Sequence, residues 1–259
     1  MVKSSNDFLQ FKDLLDRKAR KYESKNFIET DPIKVAHQFS EKADIEIISF
    51  LITTFAWGNR KSIINSANNL VELLERNPHD FVVNHTKSDL KRFKDFTHRT
   101  FQPVDLIYFI TALKFIYTQK GGLENVFVPE MNQEFLYKTI HRFKRIFFGL
   151  PHLKRTEKHI SDPLNGSASK RINLFLRWMV RSSTLGVDFG IWKNISPRIL
   201  SCPLDIHTLR VAGKLGLISR KTNDFKTLVE LDRNLRLLNP EDPVKYDFAL
   251  FGLGMFENI

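Results

Sequence analysis

The sequence of 259 residues contains a single cysteine, Cys202. One cysteine excludes an intramolecular disulfide, a four-cysteine zinc site and a four-cysteine iron–sulfur cluster. Long apolar runs are also missing, because the stretches at 45–57 and 106–117 are too short and too interrupted to cross a bilayer. The first residues carry no apolar signal segment. We therefore expect a soluble, cytoplasmic protein.

Acidic residues are scarce relative to basic ones. The 29 Asp and Glu residues face 40 Lys and Arg residues, which gives a formal net charge of +11. A charge of this sign and size favours a polyanionic partner, with nucleic acid the first candidate and an anionic membrane surface the second.

Several sequence motifs of common enzymes are missing as well. The chain has no phosphate-binding loop of the Gly-x-x-x-x-Gly-Lys type, no dinucleotide-binding Gly-x-Gly-x-x-Gly and no Gly-x-Ser-x-Gly nucleophile elbow. His152, His159 and His207 do not show the spacing of metal ligands. We expect neither a bound metal nor a nucleotide cofactor.

Apolar residues recur with helical spacing along nearly the whole chain, which predicts an all-α protein. The 23 phenylalanines predict a Phe-rich core. A polar, turn-rich stretch from Gly149 to Ser169 predicts a junction between two lobes with a cleft between them. The lobes would be a central one at about 44–150 and a second one made of 1–43 plus 151–259. The predicted helices begin near Asn6 and span about 31–39, 44–57, 61–75, 106–117, 134–148, 169–182, 206–217, 224–238 and 243–256.

The helix predicted at 169–182 carries the first candidate for chemistry. Lys170 follows a turn that contains Gly166, and it shares one helix face with Arg177 and Arg181, opposite the apolar face. This pattern is typical of a solvated basic face. It is also compatible with a lysine at the mouth of a cleft, where burial and a neighbouring cation lower its pKa enough for nucleophilic attack.

The second candidate is Asp205, which comes directly before the helix predicted at 206–217. An aspartate in this position is typical of a helix N-cap. An N-cap carboxylate is also fixed in place and ionised, and such a group can stabilise positive charge or accept a proton. The two roles are compatible. His207 is expected to pack or to form a hydrogen bond beside it.

Around these two residues the chain resembles the helix-hairpin-helix DNA glycosylase superfamily. Leu164, Gly166 and Lys170 are in register with that family's hairpin, Leu-Pro-Gly-x-Gly-x-Lys. The segments Leu-Asp-Ile-His and Arg-Val-Ala-Gly-Lys-Leu-Gly-Leu are similar to its later Val-Asp-Thr-His motif and the helix after it. Asn165 replaces the hairpin proline and Ala168 replaces the second glycine, which restricts the turn.

The resemblance extends to an uncharacterised bacterial family, one of unknown function that shares the glycosylase fold, over nearly the whole length of the chain. The segments concerned include Phe-Ala-Trp-Gly-Asn-Arg at 55–60, Gly-Ser-Ala-Ser-Lys-Arg at 166–171 and Asp-Pro-Val-Lys-Tyr-Asp-Phe at 242–248. The separation of 35 residues between Lys170 and Asp205 is similar to that in an archaeal branch that removes 8-oxoguanine, and we expect the additional segment at 187–203 to form a loop lining the site.

The resemblance implies a bifunctional DNA glycosylase and AP lyase acting on damaged, double-stranded DNA as a monomer. Lys170 would form the Schiff base, Asp205 would be the catalytic carboxylate, and the hairpin has room for a monovalent ion. The iron–sulfur cluster of some members would be absent. DNA would be contacted by Asn59, Arg60, Gly166, Ser167, Ser169, Arg171, Arg177 and Arg181, and the flipped base by aromatic residues among Trp57, Trp178, Trp192 and His207.

Two other functions remain open from the sequence. The same fold could bind lesions or abasic sites in DNA without turnover, or the chain could be a basic helical protein that binds RNA or a protein partner. Replacement of Lys170 separates the first alternative from an enzyme, and competition between structured RNA and damaged duplex DNA separates the second.

Overall fold

The computed structural model describes residues 5–181 and 185–257. Within these residues the chain forms α-helices and 3₁₀ helices and no strand, apart from an isolated bridge between His98 and Phe101. The predicted all-α fold is confirmed as a helical bundle. The α-helices are α1 (Ser5–Tyr22), α2 (Lys25–Thr30), α3 (Ile33–Ala36), α4 (Lys42–Thr54), α5 (Arg60–Leu73), α6 (Pro78–Asn84), α7 (Pro103–Gln119), α8 (Leu123–Phe127), α9 (Tyr137–Phe147), α10 (Lys170–Val180), α11 (Ile206–Lys214), α12 (Phe225–Leu238) and α13 (Tyr246–Phe256).

Helix starts follow local signals in the sequence. Pro103 is the first residue of α7, where its missing N–H costs nothing, and the Asp224 carboxylate accepts a hydrogen bond from the Thr227 N–H at the start of α12. The helix predicted from residue 31 to about 39 was too long, because α3 ends at Ala36. After α3 the chain forms turns in which an N–H bonds to the carbonyl three residues before it, as Phe39 does to Ala36, instead of four as in an α-helix. The end predicted for α10 at Ser182 lies outside the described residues.

The chain divides into two compact units. Unit 1 consists of the described residues of Met1–Phe27, Met131–Lys138 and Asp162–Ile259, and unit 2 of Ile28–Glu130 and Thr139–Ser161. The borders were predicted at residues 44 and 150, and the units instead meet at 27/28 and 161/162. The stretch Met131–Lys138, which was predicted to be part of the central lobe, belongs to unit 1. In the described parts of both units, no helix is sufficiently long and apolar to cross a membrane.

Unit 2 has an aromatic core. Phe50 of α4 stacks on Phe109 of α7 with ring centroids 5.9 Å apart, and it contacts Phe143 and Phe147 of α9. All four rings are fully buried. The Phe-rich core expected from composition is found here.

Unit 1 is built around α13. Helices α1 and α11 both pack against it. Leu15 of α1, Val211 of α11 and Leu250 of α13 are fully buried in one apolar cluster, to which α12 contributes Leu228 and Leu231. Lys170 and Asp205 belong to this unit.

Candidate active site

A tight turn precedes Lys170. The two carboxylate oxygens of Asp162 accept hydrogen bonds from the Leu164 N–H and the Asn165 side-chain amide, at 3.0 and 2.8 Å. Gly166 has a left-handed backbone with φ of +88°. A glycine adopts this conformation without the steric cost that a side chain would add.

The second left-handed residue of the turn is Ser169, with φ of +48°, rather than Ala168. Ala168 corresponds to the second glycine of the family's hairpin, so the left-handed residue of this turn lies one position later. The Ser169 N–H donates to the Ser167 hydroxyl at 3.0 Å, while the Ser169 hydroxyl is buried without a hydrogen-bond partner. Serine at a left-handed position costs free energy, and such strain is often found at functional sites.

Lys170 is the first residue of α10, because the left-handed Ser169 interrupts helical geometry directly before it. The residue is half-buried. One turn further, the buried Asn173 donates from its side-chain amide to the Ala168 carbonyl at 3.1 Å and so ties the helix to the turn. The apolar face of α10 predicted from the sequence is buried, as Ile172 and Phe175 illustrate.

Asp205 is the N-cap of α11, as the sequence predicted. Its Oδ1 accepts hydrogen bonds from the backbone N–H groups of His207 and Thr208, both at 2.9 Å. The residue is half-buried, and neither of these bonds uses Oδ2. The carboxylate is thus fixed at one oxygen while the other is available for a different partner.

The sequence analysis missed Asp247 of α13, whose carboxyl group is influenced electrostatically by both Lys170 and Asp205. Its buried carboxylate accepts hydrogen bonds from the Arg177 guanidinium and, at 3.7 Å, from the Cys202 thiol. Burial raises the pKa of Asp247 to about 6; Arg177 and Lys170 oppose this rise electrostatically and Asp205 adds to it. Lys170 and Asp205 therefore each lie within electrostatic range of Asp247. The sequence did contain a signal for this residue: an aspartate within the very apolar helix α13 indicates a buried carboxylate that is paired with a cation.

Arg177 and Arg181 do not form the exposed basic face that the helical pattern predicted. They are only 3% and 5% exposed, which contradicts their predicted contacts with DNA phosphates. Arg177 binds Asp188 and Asp247. The guanidinium of Arg181 binds Glu23 at 2.5 Å, Asp242 at 2.9 Å and Asp188 at 3.1 Å. Carboxylates from other parts of unit 1 cover this side of α10, which a helical wheel cannot reveal.

Two of the tryptophans predicted to stack on a flipped base are core residues. Trp178 and Trp192 are each 1% exposed, and Trp192 packs edge-on against Phe175 at 5.3 Å. The backbone N–H of Trp192 also donates a hydrogen bond to the Met179 carbonyl. Part of the segment 187–203, which was predicted to line the site, therefore packs against α10. Burial leaves neither indole face free for a base.

His207 of unit 1 remains a candidate for base recognition. It is half-buried, and its Nδ1 is buried without a hydrogen-bond partner among the described residues. The Arg171 side chain is half-buried, and burial lowers its pKa to about 10, so it still carries its charge at neutral pH. Its predicted contact with DNA stays a prediction, as do those of Gly166 and Ser167.

The remaining candidates belong to unit 2. Trp57 is half-buried and stacks on His159 with centroids 6.2 Å apart, and His159 in turn contacts the buried Asp105 at 3.1 Å. Asn59 is exposed and caps α5 by accepting a hydrogen bond from the Ser62 N–H, while Arg60 pairs with Asp31 at 3.5 Å. The roles predicted for Trp57, Asn59 and Arg60 stay predictions.

No group of three or more His, Cys, Asp or Glu side chains within the described ranges has an arrangement that could hold a metal ion. His152 bonds to the Leu150 carbonyl and to Glu157. Cys202 is buried, and burial raises the pKa of its thiol well above the ordinary value. A thiol of this kind is a poor nucleophile.

Comparison with known proteins gives one match. No curated protein and no solved structure matches the chain. A family model described as "Protein of unknown function (DUF2400)" matches residues 31–256, which include Lys170, Asp205 and Asp247. The chain belongs to the DUF2400 family.

Proposed function

We propose that the protein is a DNA glycosylase with AP lyase activity, in which Lys170 is the nucleophile and Asp205 the assisting carboxylate. The observation that carries the proposal is that α10, which begins with Lys170, is bound through Arg177 to Asp247 of α13, and that α13 also packs against α11, which Asp205 caps. A half-buried lysine at the start of one helix and a carboxylate anchored at the start of another are the two groups that Schiff-base chemistry uses.

The reaction begins with the neutral amine of Lys170 attacking C1′ of the damaged nucleotide. The N-glycosidic bond breaks, and its electron pair leaves with the base, which takes up a proton. Asp205 stabilises the positive charge that develops on the sugar and accepts the proton released by the amine. Opening of the sugar ring gives an imine between Lys170 and C1′, from which β-elimination can cleave the strand.

The basic composition supports DNA as the substrate, since a net charge of +11 favours binding to a polyanion. The resemblance noted above supports an oxidised purine as the lesion. The Gly166 turn is exposed at its tip, where its backbone can approach a phosphate.

The test is covalent trapping with borohydride, which reduces the imine to a stable amine. Wild type is incubated with duplexes that contain an abasic site or 8-oxoguanine, and adduct is measured on a denaturing gel. We expect adduct from wild type and none from Lys170→Ala. Lys226→Ala is the matched control, because Lys226 is an exposed lysine in the first turn of α12, in the same unit.

Asp205→Asn removes the negative charge of Asp205 and keeps the N-cap of α11, since asparagine is also a good N-cap. We expect it to fold normally and to slow base removal by about 100-fold, in the range usual for loss of an acid–base group. Adduct at the wild-type level in Lys170→Ala would show that another amine reacts. Wild type that binds both duplexes and forms no adduct would identify a DNA-binding protein without turnover.

A further inference from the structure

A groove runs along the outer side of α11 and the loop that follows it. It encloses about 410 Å³. Its apolar surface comes from Ile206, Leu209 and Ile218. Ile206 is 73% exposed although it follows Asp205 directly, so an apolar, solvent-facing surface begins beside the candidate active site.

The rim of the groove is basic. Arg210, Lys214, Arg220 and Lys221 line it, and no carboxylate does so. Arg220 is neutralised by Asp224 at 2.7 Å. Lys214 and Lys221 are exposed, and neither has an ion pair with another described residue. These two ammonium groups give the groove a positive potential, which attracts an anionic ligand.

Gly213 lies within the groove in the last turns of α11. A Cβ atom at this position would have no heavy atom within 4 Å, so packing in the free protein does not require glycine here. Glycine inside a helix lowers stability relative to alanine. The missing side chain instead leaves space for close approach of a ligand to the helix backbone.

An ion pair and a hydrogen bond link the groove to the turn that precedes Lys170. Its Arg220 pairs with Asp224, the N-cap of α12. The next residue, Phe225, donates its N–H to the Gly166 carbonyl at 2.9 Å. The turn and the Arg220 side of the groove are thus near each other in unit 1, so a single extended polyanion can reach both.

We propose that this groove binds the sugar–phosphate backbone of duplex DNA beside the reacting nucleotide. Lys214 and Lys221 contact consecutive phosphates, Gly213 allows the strand to approach α11, and Ile206 packs against the sugar edge. The proposal rests on the proposed function for the identity of the polyanion. It adds a docking surface outside the hairpin and outside the residues that act on the sugar.

Binding of an undamaged fluorescent duplex at increasing salt concentration tests the charged part of the proposal. Each phosphate contact by a lysine contributes about one to the slope of log affinity against log salt. We expect Lys214→Gln/Lys221→Gln to lower this slope by about two and to weaken binding by about tenfold at moderate salt. The matched control is Lys91→Gln/Lys94→Gln, two exposed lysines of unit 2 that remove the same charge.

Gly213→Leu tests the shape of the groove without changing its charge. Leucine is a strong helix former, so we expect the thermal midpoint to be maintained while DNA affinity falls by about tenfold. Equal losses of DNA affinity in Lys214→Gln/Lys221→Gln and in the control variant would show that only the net charge of the protein matters. Unchanged affinity in Gly213→Leu would show that no DNA strand enters the groove. Polyglutamate that displaces DNA at equal charge concentration would identify an acidic protein as the occupant and overturn the proposal.

The two proposals fail separately, because the duplex used for binding contains no lesion. A wild type without borohydride adduct but with the expected change of slope would refute the glycosylase chemistry and support the groove. Adduct formation by wild type together with an unchanged slope in Lys214→Gln/Lys221→Gln would refute the groove and support the chemistry.

Discussion

Asp247→Asn should change how the stability of the protein depends on pH. Asp247 is one of four carboxylates, with Glu23, Asp188 and Asp242, that surround the guanidinium groups of Arg177 and Arg181. Full ionisation would leave an excess of negative charge in a buried cluster. Burial raises the pKa of Asp247 to about 6 from its ordinary value of 3.8, and Asp205 adds to this rise.

The direction of the effect follows from proton linkage. Between pH 3.8 and 6 the unfolded chain has lost the Asp247 proton while the native protein keeps it, so the free energy of unfolding falls as pH increases. The stabilising contribution is complete below pH 3.8 and is lost as pH rises through 6. These two pKa values give a loss of about 2 kcal/mol between about pH 4.5 and 7.5.

Urea unfolding of wild type and Asp247→Asn at both pH values measures this contribution. Asparagine cannot titrate, and its side-chain oxygen still accepts a hydrogen bond from Arg177. Relative to the variant, wild type should therefore lose about 2 kcal/mol on going to the higher pH. Asp13→Asn, which changes an exposed aspartate of α1, should parallel wild type. Parallel pH profiles of wild type and Asp247→Asn would refute the raised pKa.

Three further substitutions have expected effects on stability, measured by the same unfolding assay at a single pH. Asp205→Ala should cost about 1 kcal/mol through loss of the α11 cap, and Asp205→Asn should cost much less; equal costs would argue against the cap. Gly166→Ala should cost about 1 kcal/mol for the left-handed backbone alone, because a Cβ there meets no atom within 4 Å. Gly213→Ala should instead stabilise the protein by about 0.5–1 kcal/mol, since that glycine is helical; destabilisation would reveal a packing role.

The parts of the fold that could be predicted are those with local causes. A proline at the start of a helix, an aspartate cap and a glycine in a left-handed turn each act through bonds within a few residues. Asp205 and Gly166 therefore marked the start of α11 and the turn before α10 correctly, and Pro103 is the residue at which α7 begins. The length of α3 could not be predicted, because the pattern after it continues without a breaker while the chain turns towards α4.

The sequence analysis named Lys170 and Asp205 as candidates and missed Asp247, which both of them influence electrostatically. Asp247 lies 70 residues after Arg177, and the partner Glu23 lies 158 residues before Arg181. Partners so far apart in the sequence produce no periodic pattern around the helix. The pattern of α10 alone therefore predicts that Arg177 and Arg181 face solvent. Only the packing of α1 and α13 reveals that carboxylates face them.

The buried ion pairs also give α10 a defined position. An unpaired charge at this depth would cost several kcal/mol, so each guanidinium must remain opposite its carboxylates. Arg177 is seven residues from Lys170, a distance of about 10 Å along the helix axis. Because Arg177 binds Asp247 of α13, and α13 also packs against α11, the same helix that fixes α10 supports the helix capped by Asp205. The buried ion pair of Arg177 and Asp247 thus links the helix that begins with Lys170 to the helix that supports α11, and the proposed reaction requires such a fixed arrangement of the amine and the carboxylate.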